Sequence, residues 1–180
     1  MATDSSTALI TGGTSGIGRA TANKLAQLGI HVIVVGRDSK RGEKTVMEIR
    51  AAGGKADFIS SDLRDASSAR EVARRAVEIG NGNMDILINN AGIYPFGPTH
   101  ETTEEMFDRV NSLNVKVPYF LVAELALLMA KRGKGAIVNL STVAADYGAP
   151  RDESLWLKQG RHQSADQSVG SRIWPERCSR

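Results

Sequence analysis

Cysteine is nearly absent: Cys178 is the only one in 180 residues. An internal disulfide framework is therefore excluded, and a reducing cytoplasm is the expected compartment. Long apolar runs are missing as well. None approaches the ~20 residues that span a bilayer, so no membrane partner is expected. The N-terminal stretch from Met1 to Thr7 is polar and has no basic segment, which argues against a secretory signal. Charge of one sign is not in large excess: 23 Lys and Arg face 20 Asp and Glu, for a net charge of +3. Residues 151–180 hold six of the basic and four of the acidic side chains, so residues 1–150 carry only +1. Without a basic face on the folded part, nucleic acid is not the expected partner. No metal centre is expected either.

What is present suits one soluble domain. Apolar residues make up 41% and charged residues 24%, enough to bury an ordinary core. Strand-like and helix-like segments alternate. Ala8–Thr11 is a short apolar run. Residues 18–29 read as a helix with Ala22, Leu25 and Ala26 on its apolar stripe and Gly29 as its stop. His31–Val35 is β-branched and reads as a buried strand. Ser39–Ala52 is a second helix, closed by Gly53 and Gly54. Ala56–Ser60 is a strand, Ala66–Ile79 a helix and Ile86–Ile88 a strand. A helix opens at Thr103–Leu113 and continues through Val122–Ala130, and Ala136–Leu140 is the fifth strand. Continuous apolar strands alternating with helices predict a parallel sheet covered on both faces, a doubly wound α/β fold. The pattern stops near Pro150. Residues 151–180 sustain no period and read as a disordered tail.

The sharpest local signal is Thr11-Gly12-Gly13-Thr14-Ser15-Gly16-Ile17-Gly18, placed after a strand and before a helix. Glycine lets the backbone turn tightly and approach a ligand. The helix N-terminus then offers unpaired N–H groups to a phosphate. No Lys-Ser/Thr pair follows the loop, which excludes a Walker-type phosphate loop.

This spacing resembles the short-chain dehydrogenase/reductase family in its single-domain form. Four further segments agree in order: Asp62-Leu63 after the third strand, Asn89-Asn90-Ala91-Gly92 after the fourth, Asn111-Ser112-Leu113-Asn114-Val115 in the next helix, and Ile137-Val138-Asn139-Leu140-Ser141-Thr142 on the fifth strand. The resemblance covers residues 7–150. It implies a Rossmann-like sheet and a nicotinamide dinucleotide held by Gly12, Thr14, Ser15, Gly16, Ile17, Gly18, Asp62, Leu63, Asn89, Ala91 and Gly92. It implies a carbonyl or alcohol substrate, a homo-oligomer, and a water-binding Asn114 that kinks its helix. Structural readings stand beside these roles. Asp62 has the composition of a helix cap, Asn89 and Asn90 are common turn formers, and Tyr94, Pro95 and Phe96 read equally as a substrate wall or as packing.

Coenzyme choice turns on the end of the second strand. An NAD(H) enzyme places a carboxylate there to bond the ribose 2′-hydroxyl. Here that position is Gly36, and Arg37 follows it. A guanidinium matches a 2′-phosphate in charge and shape, so NADP(H) is expected over NAD(H). Asp38 is the competing feature, because a one-residue slip brings its carboxylate to the ribose.

The chemistry implied by the resemblance needs a hydroxyl on the substrate oxygen and a Tyr-x-x-x-Lys motif about a dozen residues on. Thr142 takes the hydroxyl position, with Ser141 as the alternative. The motif itself is missing. Tyr147 is the only tyrosine nearby, it comes early, and Arg151 stands four residues later. A shifted reading frame accounts for this. Back-translating from Asp152 with one base dropped permits Met-Ser-Leu-Tyr-Gly-Ser-Ser-Lys-Ala-Ala, a family-like continuation. Its tyrosine codon spans Leu155 and Trp156, and its lysine codon spans Gln159 and Gly160. The expectation is an incomplete domain at residues 1–150, a frameshifted non-native tail at 151–180, and a sheet incomplete at its C-terminal edge. For the chain as written, the alternatives are a non-catalytic dinucleotide-binding module and an unstable fragment.

Overall fold

A computed structural model of the chain describes residues 6–95 and 99–141. Five strands form one parallel sheet: β1 (Thr7–Thr11), β2 (His31–Gly36), β3 (Ala56–Ser60), β4 (Ile86–Asn89) and β5 (Ala136–Asn139). Their spatial order is β3-β2-β1-β4-β5. The chain thus winds outward from β1 to β3, then crosses back to place β4 on the other side of β1. The register is continuous across the centre, with Leu9 level with Ile33 on β2 and with Leu87 on β4.

The helices cover both faces. They are α1 (Gly16–Gln27), α2 (Ser39–Ala51), α3 (Ala66–Ile79), α4 (Glu104–Asn111) and α5 (Val117–Lys131), with a π turn at Ser112–Lys116 joining the last two. Alternation along each strand splits the core in two. Ala8, Ile10, Val32 and Val34 pack with Ala22, Ala26, Val46 and Ile49 of α1 and α2. Leu9, Ile33, Val35 and Leu87 pack with Val72, Ala76, Leu121 and Leu125 of α3 and α5. Burying one such leucine or isoleucine is worth roughly 1.5–3 kcal/mol, which is why a parallel strand here is apolar on both faces.

Local chemistry fixes the ends. Gly29 takes φ +82, and Ile30 N–H reaches back to the Leu25 carbonyl at 3.1 Å, which stops α1. Asp65 caps α3 by accepting from Ser68 N–H at 2.7 Å, while the Ser68 hydroxyl accepts from Asp65 N–H at 3.1 Å. Buried Asp85 accepts from Thr7 N–H at 2.9 Å and pairs with Arg132 and Lys134, tying the foot of β1 to the turn before β5.

Although no unbroken apolar run approaches 20 residues, the continuous helical stretch Glu104–Lys131 is 28 residues long with a mean hydropathy of 1.5 in its most apolar window. By length and composition it is apolar enough to cross a membrane. A run count is broken by isolated polar residues, whereas a helix averages over them. Val117, Leu121, Leu125 and Met129 form its buried stripe against the sheet, at the four-residue spacing of a core-packing helix.

Candidate dinucleotide site

The crossover from β3 to β4 leaves a crevice at the C-terminal end of the sheet, between β1 and β4. Doubly wound sheets bind ligands at such switch points. Here the crevice is a cleft of about 710 Å³, with the loop after β1 on one wall and the loop after β4 on the other.

Thr11 and Asn90 join those walls. The Thr11 hydroxyl accepts from both Asn90 N–H and Ala91 N–H at 3.0 Å. The Asn90 side-chain amide donates to the carbonyls of Thr11, at 2.9 Å, and Gly12, at 3.1 Å. Gly12 sits at φ +64, and a β-carbon on Gly18 would stand 2.4 Å from the Gly12 carbonyl oxygen. Glycine is therefore required at position 18 for the first turn of α1 to close against the loop. The outcome is a tight turn that delivers the N-terminus of α1 to the cleft.

Of the residues named from the sequence, Gly12, Thr14, Ser15, Ile17, Arg37, Asp62, Leu63, Ala91 and Gly92 line this cleft together. Gly16 opens α1 at its mouth, and a β-carbon there would meet nothing within 4 Å. Gly18 is buried behind the loop. Asn89 does not face the cleft: it is 4% exposed, and its amide donates to Asn139 Oδ1 at 2.8 Å. With the Leu140 N–H bond to the Asn89 carbonyl, that contact aligns the ends of β4 and β5. Ser141 is exposed. Thr142, Phe96 and Tyr147 lie outside the described residues.

Asn114 stands in the π turn, where the wider backbone brings its side chain to the β4 loop. Its Oδ1 accepts from Ile93 N–H at 3.0 Å, and its Nδ2 donates to the Ile93 carbonyl at 2.9 Å. This two-point clasp fixes the loop that follows Gly92. Such single wide turns inside helices are common at functional sites.

The structure also settles two structural readings. Asp62 caps no helix; Asp65 does so, and Asp62 is left lining the cleft. Asp38 is the N-cap of α2. The backbone N–H of Arg41 and its guanidinium hold the Asp38 carboxyl below the ordinary carboxylate value. Gly36 has a steric reason to be glycine: a β-carbon there would lie 2.6 Å from Thr14 Cγ2. The Thr14 side chain thus packs directly against Gly36. Sequence reading left Thr11, Asn90, Ser61, Arg41 and Arg64 outside the site, although the last four line the cleft. No group of metal-ligating side chains occurs among the described residues.

Known proteins resemble the chain over most of its length. The short chain dehydrogenase family model matches residues 6–153. The chain belongs to the short chain dehydrogenase family. An uncharacterized oxidoreductase of Thermotoga maritima is 42% identical over 143 residues, which is 79% of this chain and 56% of that protein. Short chain dehydrogenase/reductase AacuN of Aspergillus aculeatus is 39% identical over 172 residues, 95% of this chain and 62% of that protein. Among solved structures, a metagenomic short-chain oxidoreductase in complex with NADP has a TM-score of 0.81 at 31% identity, covering 91% of this chain and 75% of that one. The chain spans about half the length of the curated relatives it matches.

Proposed function

We propose that residues 6–141 form the coenzyme half of an NADP(H)-dependent short-chain dehydrogenase/reductase. The observation that carries this is the cleft at the β1–β4 switch point, lined by the glycine loop, Arg37, Asp62 and the Ala91-Gly92 loop. The fit is chemical as well as spatial. The N-terminus of α1 offers unpaired N–H groups where the pyrophosphate would lie. Asp62 stands with Leu63 on the adenine side. Arg37 supplies positive charge, and Thr14 packs against Gly36, where a side chain carrying a ribose-binding carboxylate would have to displace it. The NADP and NADPH complexes among the structural neighbours point the same way. Calorimetric titration with NADPH and NADH tests this. Tighter binding of NADPH is expected, and equal affinities would contradict the coenzyme assignment.

When bound, the nicotinamide supplies hydride transfer to or from a carbonyl or alcohol carbon. The chain's own part is to orient and polarise. Asn114 holds the β4 loop that borders the nicotinamide side, and Thr142, or else Ser141, donates a hydroxyl to the substrate oxygen. The proton transfer that Tyr-x-x-x-Lys would perform has no counterpart here, since Arg151, not lysine, stands four residues after Tyr147. The chain as written therefore binds coenzyme without turnover, and beyond Pro150 it is the family's continuation read out of frame. The end of the family match at residue 153 supports that boundary, whereas the AacuN alignment extends into the tail and weighs against it. The nucleotide sequence of codons 149–153 decides: codons that cannot encode the shifted peptide would refute the frameshift. The intact enzyme is read as a cytoplasmic homo-oligomer, with the stretch Glu104–Lys131 as a core helix rather than a membrane span.

A further inference from the structure

Asp38 directly follows Arg37, a residue that lines the cleft, and caps α2. Its position suggests an acceptor for a ribose hydroxyl, but its bonds are already made. Asp38 Oδ1 accepts from Arg41 N–H at 3.0 Å, and Asp38 Oδ2 accepts from Arg41 Nε at 2.8 Å. Both carboxylate oxygens are engaged by one residue. The guanidinium of Arg41 is gripped through Nε, while its terminal N–H groups bond nothing among the described residues. Arg41 lines the cleft beside Arg37, Ser61, Asp62 and Arg64. Three guanidiniums against two carboxylates leave this rim one positive charge in excess. Asp108 and Arg109, which approach the cleft from α4, cancel one another.

We infer that Arg41 is a second specificity-determining arginine for the adenosine 2′-phosphate, and that Asp38 is the positioning residue that holds it there. This rests on the NADP(H) reading. A guanidinium fixed at Nε presents its remaining donors in a set plane, the arrangement that suits a phosphate. The sign of the consequence separates two roles for Asp38. A carboxylate acting only as charge would repel the phosphate, so its removal would tighten binding. A carboxylate that holds Arg41 weakens binding when it is removed.

The test is calorimetry on the 180-residue chain with adenosine 2′,5′-bisphosphate and with 5′-AMP. The proteins are wild type, Asp38→Asn, Arg41→Gln, the double variant and Arg37→Gln. Asparagine caps a helix as well as aspartate does, so Asp38→Asn keeps α2, and thermal melting by circular dichroism checks it. Asp38→Asn and Arg41→Gln are each expected to weaken the bisphosphate about tenfold, the loss of one charge-assisted contact. Binding of 5′-AMP should stay unchanged, and the double variant should be no weaker than Arg41→Gln. Tighter or unchanged bisphosphate binding in Asp38→Asn overturns the positioning role. A wild type without preference for the bisphosphate overturns the NADP(H) reading and this inference together. A preference removed by Arg37→Gln but kept by Arg41→Gln leaves the reading intact and this inference refuted.

Discussion

Gly16 opens α1 at φ +50, with empty space where a β-carbon would stand. Gly16→Val meets no neighbouring atom but forces a β-branched residue into a left-handed backbone and strains the turn, so its folding is checked by circular dichroism beside the wild type. It places a branched side chain where a phosphate would approach and should weaken dinucleotide binding by more than about tenfold. Normal affinity in calorimetry would show that the phosphate lies elsewhere. Arg37 is exposed at the cleft rim and makes the second residue-scale prediction. Arg37→Asp should cost roughly 10- to 100-fold in NADPH affinity and favour NADH. Unchanged relative affinities would mean that the guanidinium points away. Much of this site was legible because its glycines and Asp62 follow strands in order. Thr11 and Asn90 were not recognised as a brace, because their bond joins residues 79 apart in the chain. Nor did the sequence tell that Asp65, and not Asp62, caps α3; that depends on where the helix begins in space.

At the scale of elements, periodicity located all five strands and every long helix. The β-branched run at β2 and the alanine-rich stripe of α1 had no competing period. The π turn at Ser112–Lys116 was not readable as such. A single extra residue per turn leaves the apolar spacing almost intact, and only Asn114, a weak helix former, marked the place. The buried stripe of α5 carries a stability prediction. Leu121 is fully buried between the sheet and α3, and Leu121→Ala should destabilise the domain by about 2–5 kcal/mol in urea unfolding. A loss below 1 kcal/mol would mean that α5 is not packed on the sheet. The cap of α3 carries a pH dependence. Ser68 N–H and its hydroxyl hold the Asp65 carboxyl below the ordinary value of 3.8. A depressed carboxylate contributes stability above its unfolded value, and that contribution disappears as pH falls through the folded value. Wild type should therefore melt above Asp65→Ala by a constant margin above pH ~5, and the margin should close in stronger acid. A margin that persists unchanged at pH 2 would exclude the ionised cap.

For the whole molecule, topology explains how the two walls of the proposed coenzyme cleft come together. The order β3-β2-β1-β4-β5 puts the glycine loop and the β4 loop on facing walls, and both lie before residue 95. The proton-transfer motif belongs after β5, past the described residues, and its absence was readable from sequence alone. Among the described residues β5 is an edge strand, and Val138 is 46% exposed on it. Open edges favour association, so the frame-restored protein should also be the more soluble. The most direct measurement pairs the chain as written with the frame-restored protein under NADPH and a panel of ketones and aldehydes, following the nicotinamide absorbance. Loss of general acid–base catalysis alone is expected to lower the rate of the chain as written by about 10²–10⁴ relative to the restored protein. Equal turnover by the two would contradict the account, because the coenzyme half would then carry its own proton donor.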